Sequence, residues 1–151
     1  GINDTLLPVE HGKHTAELVT SVDIIPTLVD VLGLKMPNLN YTLEGASLKD
    51  LLLKQKPLNR DYIVSESWFQ TTVIGKNEKL GIMNPNPVNP RRDYREFGDM
   101  FFDRINDPLE LNNGINDLKN QQKIAQLRAF YTHFKTQVSG IGMQEINNKK
   151  N

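Results

Sequence analysis

Hydrophobic positions along the chain change their spacing twice. From residue 24 to 33 apolar residues fall three and four apart, with Ile25, Leu28, Val29 and Leu32 on one helical face. Pro26 stands inside this run, where a mid-helix proline would cost ~3 kcal/mol. Placing Asp23 as N-cap removes the conflict: Ile24, Ile25 and Pro26 become the first turn, whose NH groups have no helical partner. Gly33 follows as the stop. A second short helix is expected over SLKDLLLK, with Ser47 and Asp50 spaced as a capping box.

From residue 59 the pattern shortens toward alternation. DYIVSESWF, TTVIG, EKLGIM and MFFDRI are rich in β-branched and aromatic residues and predict four strands. GKNE is a hairpin turn between the second and third. NPNPVNPRRDY is a proline-asparagine loop, and Asn106-Asp107-Pro108 ends the last strand. From about Asp117 to Val138 the period lengthens again, with Ile124, Leu127, Tyr131, Phe134 and Val138 on one stripe. The expected fold class is α/β, as an α+β unit: a small antiparallel sheet of about four strands covered by a long C-terminal helix and preceded by helices. Residues 1–58 form the loop-and-helix part, 59–140 the sheet with its helix, and 141–151, ending NNKKN, a disordered tail. The stripe of the long helix covers the sheet. The face of the first helix has no evident partner, because no strand precedes it.

Charge and composition narrow the function classes. Among 151 residues, Lys+Arg and Asp+Glu are balanced at 18 each, and no basic run is interleaved with aromatics. Neither nucleic acid nor an anionic membrane surface is an expected partner. No apolar stretch approaches the ~20 residues of a membrane span. Cysteine is absent, which excludes disulfides, thiolate metal sites and a cysteine nucleophile within these residues.

Several polar groupings carry possible chemistry. His11 and His14 make an H-x-x-H in a polar loop, but without a third ligand they are expected to be solvated, and His133 lies off the helix stripe. Glu66, Trp68 and Gln70 sit with Ser65 and Ser67 at a strand end. A lone Trp among polar groups either stacks on a sugar at a pocket rim or caps the small sheet's core. Arg91 and Arg92, with Arg95, form a local basic cluster; it either meets an anionic sugar or pairs with Asp93 and Glu96. Glu110, Asn112 and Asn113 are expected to hold a turn rather than a ligand.

In order and spacing, Val22 to Gly33, Leu43 to Leu52, Arg60 to Glu66, Glu78 to Ile82 and Phe102 to Asn113 resemble the C-terminal part of sulfatases of the alkaline-phosphatase-like superfamily. The resemblance runs from Lys13 to Phe134. It departs at Gly81, where an apolar residue is common, and at the long proline-rich loop 84–95. It implies that the first helix packs on a large α/β domain lying upstream. That domain would carry a formylglycine nucleophile, a calcium ion and cations around the sulfate, the logic being charge neutralisation of a sulfate ester. None of Ser21, Ser47, Ser65, Ser67 or Ser139 has the Pro at +2 that the nucleophile motif needs.

The expectation is therefore a chain inactive by itself, with no cofactor of its own. It contributes packing and a pocket rim of Glu66, Trp68, Gln70, Arg91 and Arg92 to an enzyme acting on sulfated carbohydrate. The resemblance implies a periplasmic or extracellular location. The alternatives are a related phosphodiester or phosphonate hydrolase, or a stand-alone binding module. The unpartnered helix face further predicts that the isolated chain self-associates through the first helix or leaves that helix poorly ordered.

Overall fold

The computed structural model describes Gly12 and residues 14–35, 45–85 and 93–137. Four strands form one antiparallel meander in the order β1-β2-β3-β4: β1 is Tyr62–Glu66, β2 Gln70–Gly75, β3 Glu78–Met83 and β4 Met100–Asp103. The register pairs Val64 with Val73, Val73 with Leu80 and Leu80 with Phe101. Because side chains alternate across a strand, these four share one face. On that face lies the C-terminal helix, α3 (Gln121–Gln137), entered through a 3-10 turn at Leu118–Asn120. Its Ile124 and Leu127 close the core with Val73, Leu80 and Phe101, and Tyr62, Val64, Ile82, Phe130 and Tyr131 pack around them. The expected stripe is thus in place as far as Phe134; Val138 and the tail lie outside the described residues.

The free edge of β4 is covered locally. Asn113 Oδ1 accepts from the Phe101 amide at 2.9 Å, and the Gly114 amide donates to the Phe101 carbonyl at 2.9 Å. Asp103 and Asp107 accept from the amides of the turns that follow them, so the NDPLELNN segment is structural, as its residue types predict. Glu110 pairs with Lys79 and stands 3.7 Å from Arg104.

Before the sheet come α1 (Ile24–Val31) and α2 (Lys49–Lys54). Pro26 does fall in the first turn of α1. Gly33 ends it at φ 62°, with the Leu34 amide bonded to the Val29 carbonyl and the Gly33 amide to that of Asp30. Asp23 differs from expectation. The helical course begins earlier, with a 3-10 turn at Ser21–Asp23, and the Asp23 carboxylate is fully buried instead of capping α1. It accepts from the Thr20 amide at 2.8 Å and the Ala46 amide at 2.9 Å, and it holds Arg60 in a two-pronged bridge of 2.8 and 2.9 Å. Arg60 also donates to the Leu18 carbonyl at 3.0 Å. This knot joins the helical part to the strand that starts two residues later.

Gly45 is needed at the same place, since a Cβ there would lie 2.0 Å from the Val22 carbonyl oxygen. The Ser47–Asp50 capping box does not form. Ser47 Oγ accepts from the Lys49 amide at 3.2 Å, its hydroxyl donates to the Asp30 carboxylate at 2.7 Å, and Asp50 pairs with Lys54. Burial pushes the Asp23 carboxyl up, but the Arg60 guanidinium and the two amides outweigh it and hold the group below the usual carboxylate range.

Candidate functional site

The β1–β2 connection brings two large aromatic residues to the surface where turn chemistry would place Gly, Asn or Asp. Ser67, Trp68, Phe69 and Gln70 make the tip. The Ser67 amide donates to the Gln70 carbonyl at 2.9 Å and Ser67 Oγ accepts from the Gln70 amide at 3.2 Å. Asn84, just past β3, fixes the tip from the side. Its amide donates to the Phe69 carbonyl at 2.8 Å, its Nδ2 to the Ser67 carbonyl at 3.1 Å, and its Oδ1 accepts from Thr71 Oγ1 at 3.2 Å. Trp68 is 76% exposed and Phe69 49%. Phe69 meets Tyr94 edge-on, with ring centroids 6.0 Å apart. Phe97, in the same 3-10 turn as Tyr94 (Tyr94–Phe97), is also exposed. Trp68 therefore does not cap the sheet core; that place is taken by the α3 side chains.

Glu66 ends β1 on the α3 face, opposite Thr71. The Tyr131 hydroxyl donates to Glu66 Oε1 at 3.3 Å and lies 3.4 Å from Thr71 Oγ1. Burial raises the Tyr131 pKa; the Thr71 bond opposes this, and the neighbouring Glu66 charge adds to it. Gln70 lies one position off in the alternation and so faces the opposite side of the sheet. Its carboxamide crosses Gly81, where a Cβ would come within 2.5 Å of Nε2, and accepts from the Thr72 hydroxyl at 3.2 Å. The apolar residue that the resemblance expects at 81 would collide with it. The tip thus gathers Glu66 and Trp68 at one end of the sheet and turns Gln70 away across the other face. Arg91 and Arg92 lie outside the described residues, as does His11; Arg95 pairs with Asp93, and His14 and His133 are exposed.

Sequence reasoning named Trp68 but passed over Phe69, Tyr94 and Asn84. The signal was there: a Trp-Phe pair between two strand patterns, in a position that favours small polar residues, is a departure that asks for a reason.

No protein-family model matches the chain. An arylsulfatase of Clostridium perfringens (strain 13 / Type A) is 32% identical over 127 residues, spanning 82% of this chain and 24% of that protein. Among solved structures, a 2-O GAG sulfatase superposes with a TM-score of 0.67 at 24% identity, covering 85% of this chain and 27% of the other. The chain matches the C-terminal portion of a sulfatase. A phosphonate monoester hydrolase from Silicibacter pomeroyi shares the fold equally, with a TM-score of 0.65 at 19% identity over 86% of this chain and 28% of its own. The chain spans about a quarter of the length of the relatives it matches.

Two groups follow from the sulfatase likeness and were tested against the residues present. Among the described residues no cluster of three carboxylates or imidazoles could hold a metal ion. The sequence offers no cysteine, and its serines lack the required proline two residues on. Among the described residues nothing fits a calcium site, and no serine of the sequence fits the formylglycine pattern.

Proposed function

We propose that this chain serves a sulfate-ester hydrolase as its C-terminal subdomain, inactive by itself, with the β1–β2 tip at the rim of the substrate pocket. The observation that carries the reading is the 32% identity to an arylsulfatase over 127 residues. On this reading residues 1–58 form the edge of an upstream α/β domain and 59–140 the subdomain proper. The calcium ion and formylglycine belong to that upstream domain, and the enzyme works in the periplasm or outside the cell on sulfated carbohydrate.

The face of α1 supports the proposal physically. Ile25, Leu28 and Leu32, on the face without an evident partner, are 53%, 49% and 63% exposed, and Val22, Ile24 and Leu34 are exposed as well. A contiguous aliphatic patch of this kind marks an interface. The upstream domain is its proposed cover, and in the isolated chain self-association is the substitute. The test is to read the open reading frame upstream of Gly1, express the whole polypeptide, and assay it on an aryl sulfate and on a phosphonate monoester. Turnover of the sulfate by the whole polypeptide, and none by residues 1–151, is expected. Preference for the phosphonate would favour the second reading, which the equal fold likeness to a phosphonate monoester hydrolase keeps in view. No turnover of either ester would leave a binding module.

A further inference from the structure

We infer that the Trp68–Phe69 tip is a stacking platform for an uncharged sugar ring, not a second anion site; this rests on the reading that the tip borders a sulfatase pocket. Three observations converge on it. The first is composition against position. Trp and Phe occupy the centre of a tight hairpin turn and stand exposed, and the sheet core does not use Trp68. The second is rigidity. The tip backbone is held by Ser67 across the turn and by two bonds from Asn84, whose Oδ1 is itself fixed by the Thr71 hydroxyl, while Phe69 is braced against Tyr94. Aromatic rings held in place before binding lose little freedom when a flat, CH-rich sugar face settles on them.

The third observation is charge. A sulfate would be met best by an arginine free of carboxylates, and the described arginines at this end are paired. Arg95 is held by Asp93 and Arg128 by Asp99, while Lys135 lies over the Tyr131 ring at 4.7 Å on the helix. Glu66, which ends β1 directly before the tip, carries a carboxylate that repels an anion and accepts hydrogen bonds from hydroxyls, as it does from Tyr131. Aromatic faces, a carboxylate and a rigid frame suit a neutral pyranose beside the sulfated residue, so the tip would select by the neighbouring sugar.

The test uses Trp68 itself, because the chain has 1 tryptophan. Emission and acrylamide quenching of the chain are followed with cellobiose and lactose as neutral probes and a monosulfated hexose as the charged one, at low and high salt. Neutral sugars are expected to shift emission to the blue and to reduce quenching roughly twofold as one ring face is covered, independently of salt. The Phe69→Ala variant, with far-UV circular dichroism as the check on folding, is expected to lose the effect. Response to the sulfated hexose alone, abolished by salt, would overturn the inference, as would no response to any sugar. Quenching protection that grows with protein concentration and needs no sugar would assign the tip to a second copy of the chain and overturn it too. The sulfatase reading is judged separately, on turnover of the aryl sulfate by the whole polypeptide, so either can fail without the other.

Discussion

Two surfaces of this molecule expose apolar side chains and differ in kind. The α1 face is aliphatic: Val22, Ile24, Ile25, Leu28, Leu32 and Leu34, with no hydrogen-bonding side chain among them. The β1–β2 tip is aromatic, small and framed by Asn84, Glu66 and Ser67. Burying one Leu or Ile contributes about 1.5–3 kcal/mol, so a face of several such residues has the composition of a permanent interface. The tip offers a few rings and a few polar groups, which suits weak, exchangeable recognition. The lesson is that exposure alone does not define a site; side-chain chemistry and the rigidity of the frame separate a surface awaiting its own protein from one awaiting a ligand.

The sharpest way to break the comparison is to cut the link between the two regions. Asp23→Ala or Arg60→Ala leaves a buried charge without its partner, which costs about 3–5 kcal/mol in such pairs. Urea unfolding should show that loss for either variant. Hydrogen exchange should place the first opening in α1 and α2 while the sheet amides stay protected. Acid should mimic the cut. Asp23 has its folded pKa lowered, so its contribution is complete above the unfolded value of ~3.9 and is lost as pH falls through the folded one. Arg60 stays charged throughout. A stability that did not decline below about pH 4 would remove the knot from the account.

Next in size is the support of the tip. Leu127 on α3 is fully buried against Val73 and Leu80. Leu127→Ala should cost about 2–5 kcal/mol, according to how far the cavity collapses. Calorimetry of this variant should show the sheet losing stability, the reverse of the order seen when the Asp23–Arg60 pair is cut.

The helix-on-sheet half was legible because its signals are local. Glu78–Met83 matches its predicted strand residue for residue, and Ile124 and Leu127 fall where a period near 3.6 puts them. The helical half was legible only in outline. Asp23 precedes an apolar run and reads naturally as a cap; its local bond runs back to the Thr20 amide, and its other partners, Ala46 and Arg60, lie 23 and 37 residues away, beyond any local rule. Ser47 was only partly legible: its oxygen accepts from the Lys49 amide and not from Asp50, and its hydroxyl donates to Asp30, 17 residues upstream. At the tip the reading found Trp68 by its rarity and missed Tyr94, because Phe69 and Tyr94 meet only once the sheet has folded.

A smaller effect concerns the α1 face alone. Leu28 is on the surface of this chain, so Leu28→Glu should change its folding free energy by no more than about 0.5 kcal/mol. Its effect belongs in association. Sedimentation velocity should show the wild-type chain forming dimers or larger species at tens of micromolar and the variant remaining monomeric. In the whole polypeptide the same change should be destructive, since it would bury a carboxylate in an apolar interface. A wild-type chain that is monomeric at all concentrations, with α1 fully protected from hydrogen exchange, would break the claim that this face is half of an interface.

The smallest expected change is the most discriminating. Trp68→Ala removes the largest side chain of the sequence from a tip whose backbone is held by Ser67 and Asn84, none of whose bonds use the indole. With 76% of the ring exposed, little buried area is lost, and stability should move by less than about 0.5 kcal/mol. A core-capping Trp would behave otherwise, with a loss of about 3–5 kcal/mol. The same variant in the whole polypeptide should leave turnover of a small aryl sulfate near its starting value and raise KM for an oligosaccharide substrate, because the ring acts on a neighbouring sugar and not on the ester. Equal loss on both substrates would move Trp68 from the rim to the reacting group. A destabilised chain would instead return it to the core and leave the tip a piece of scaffold.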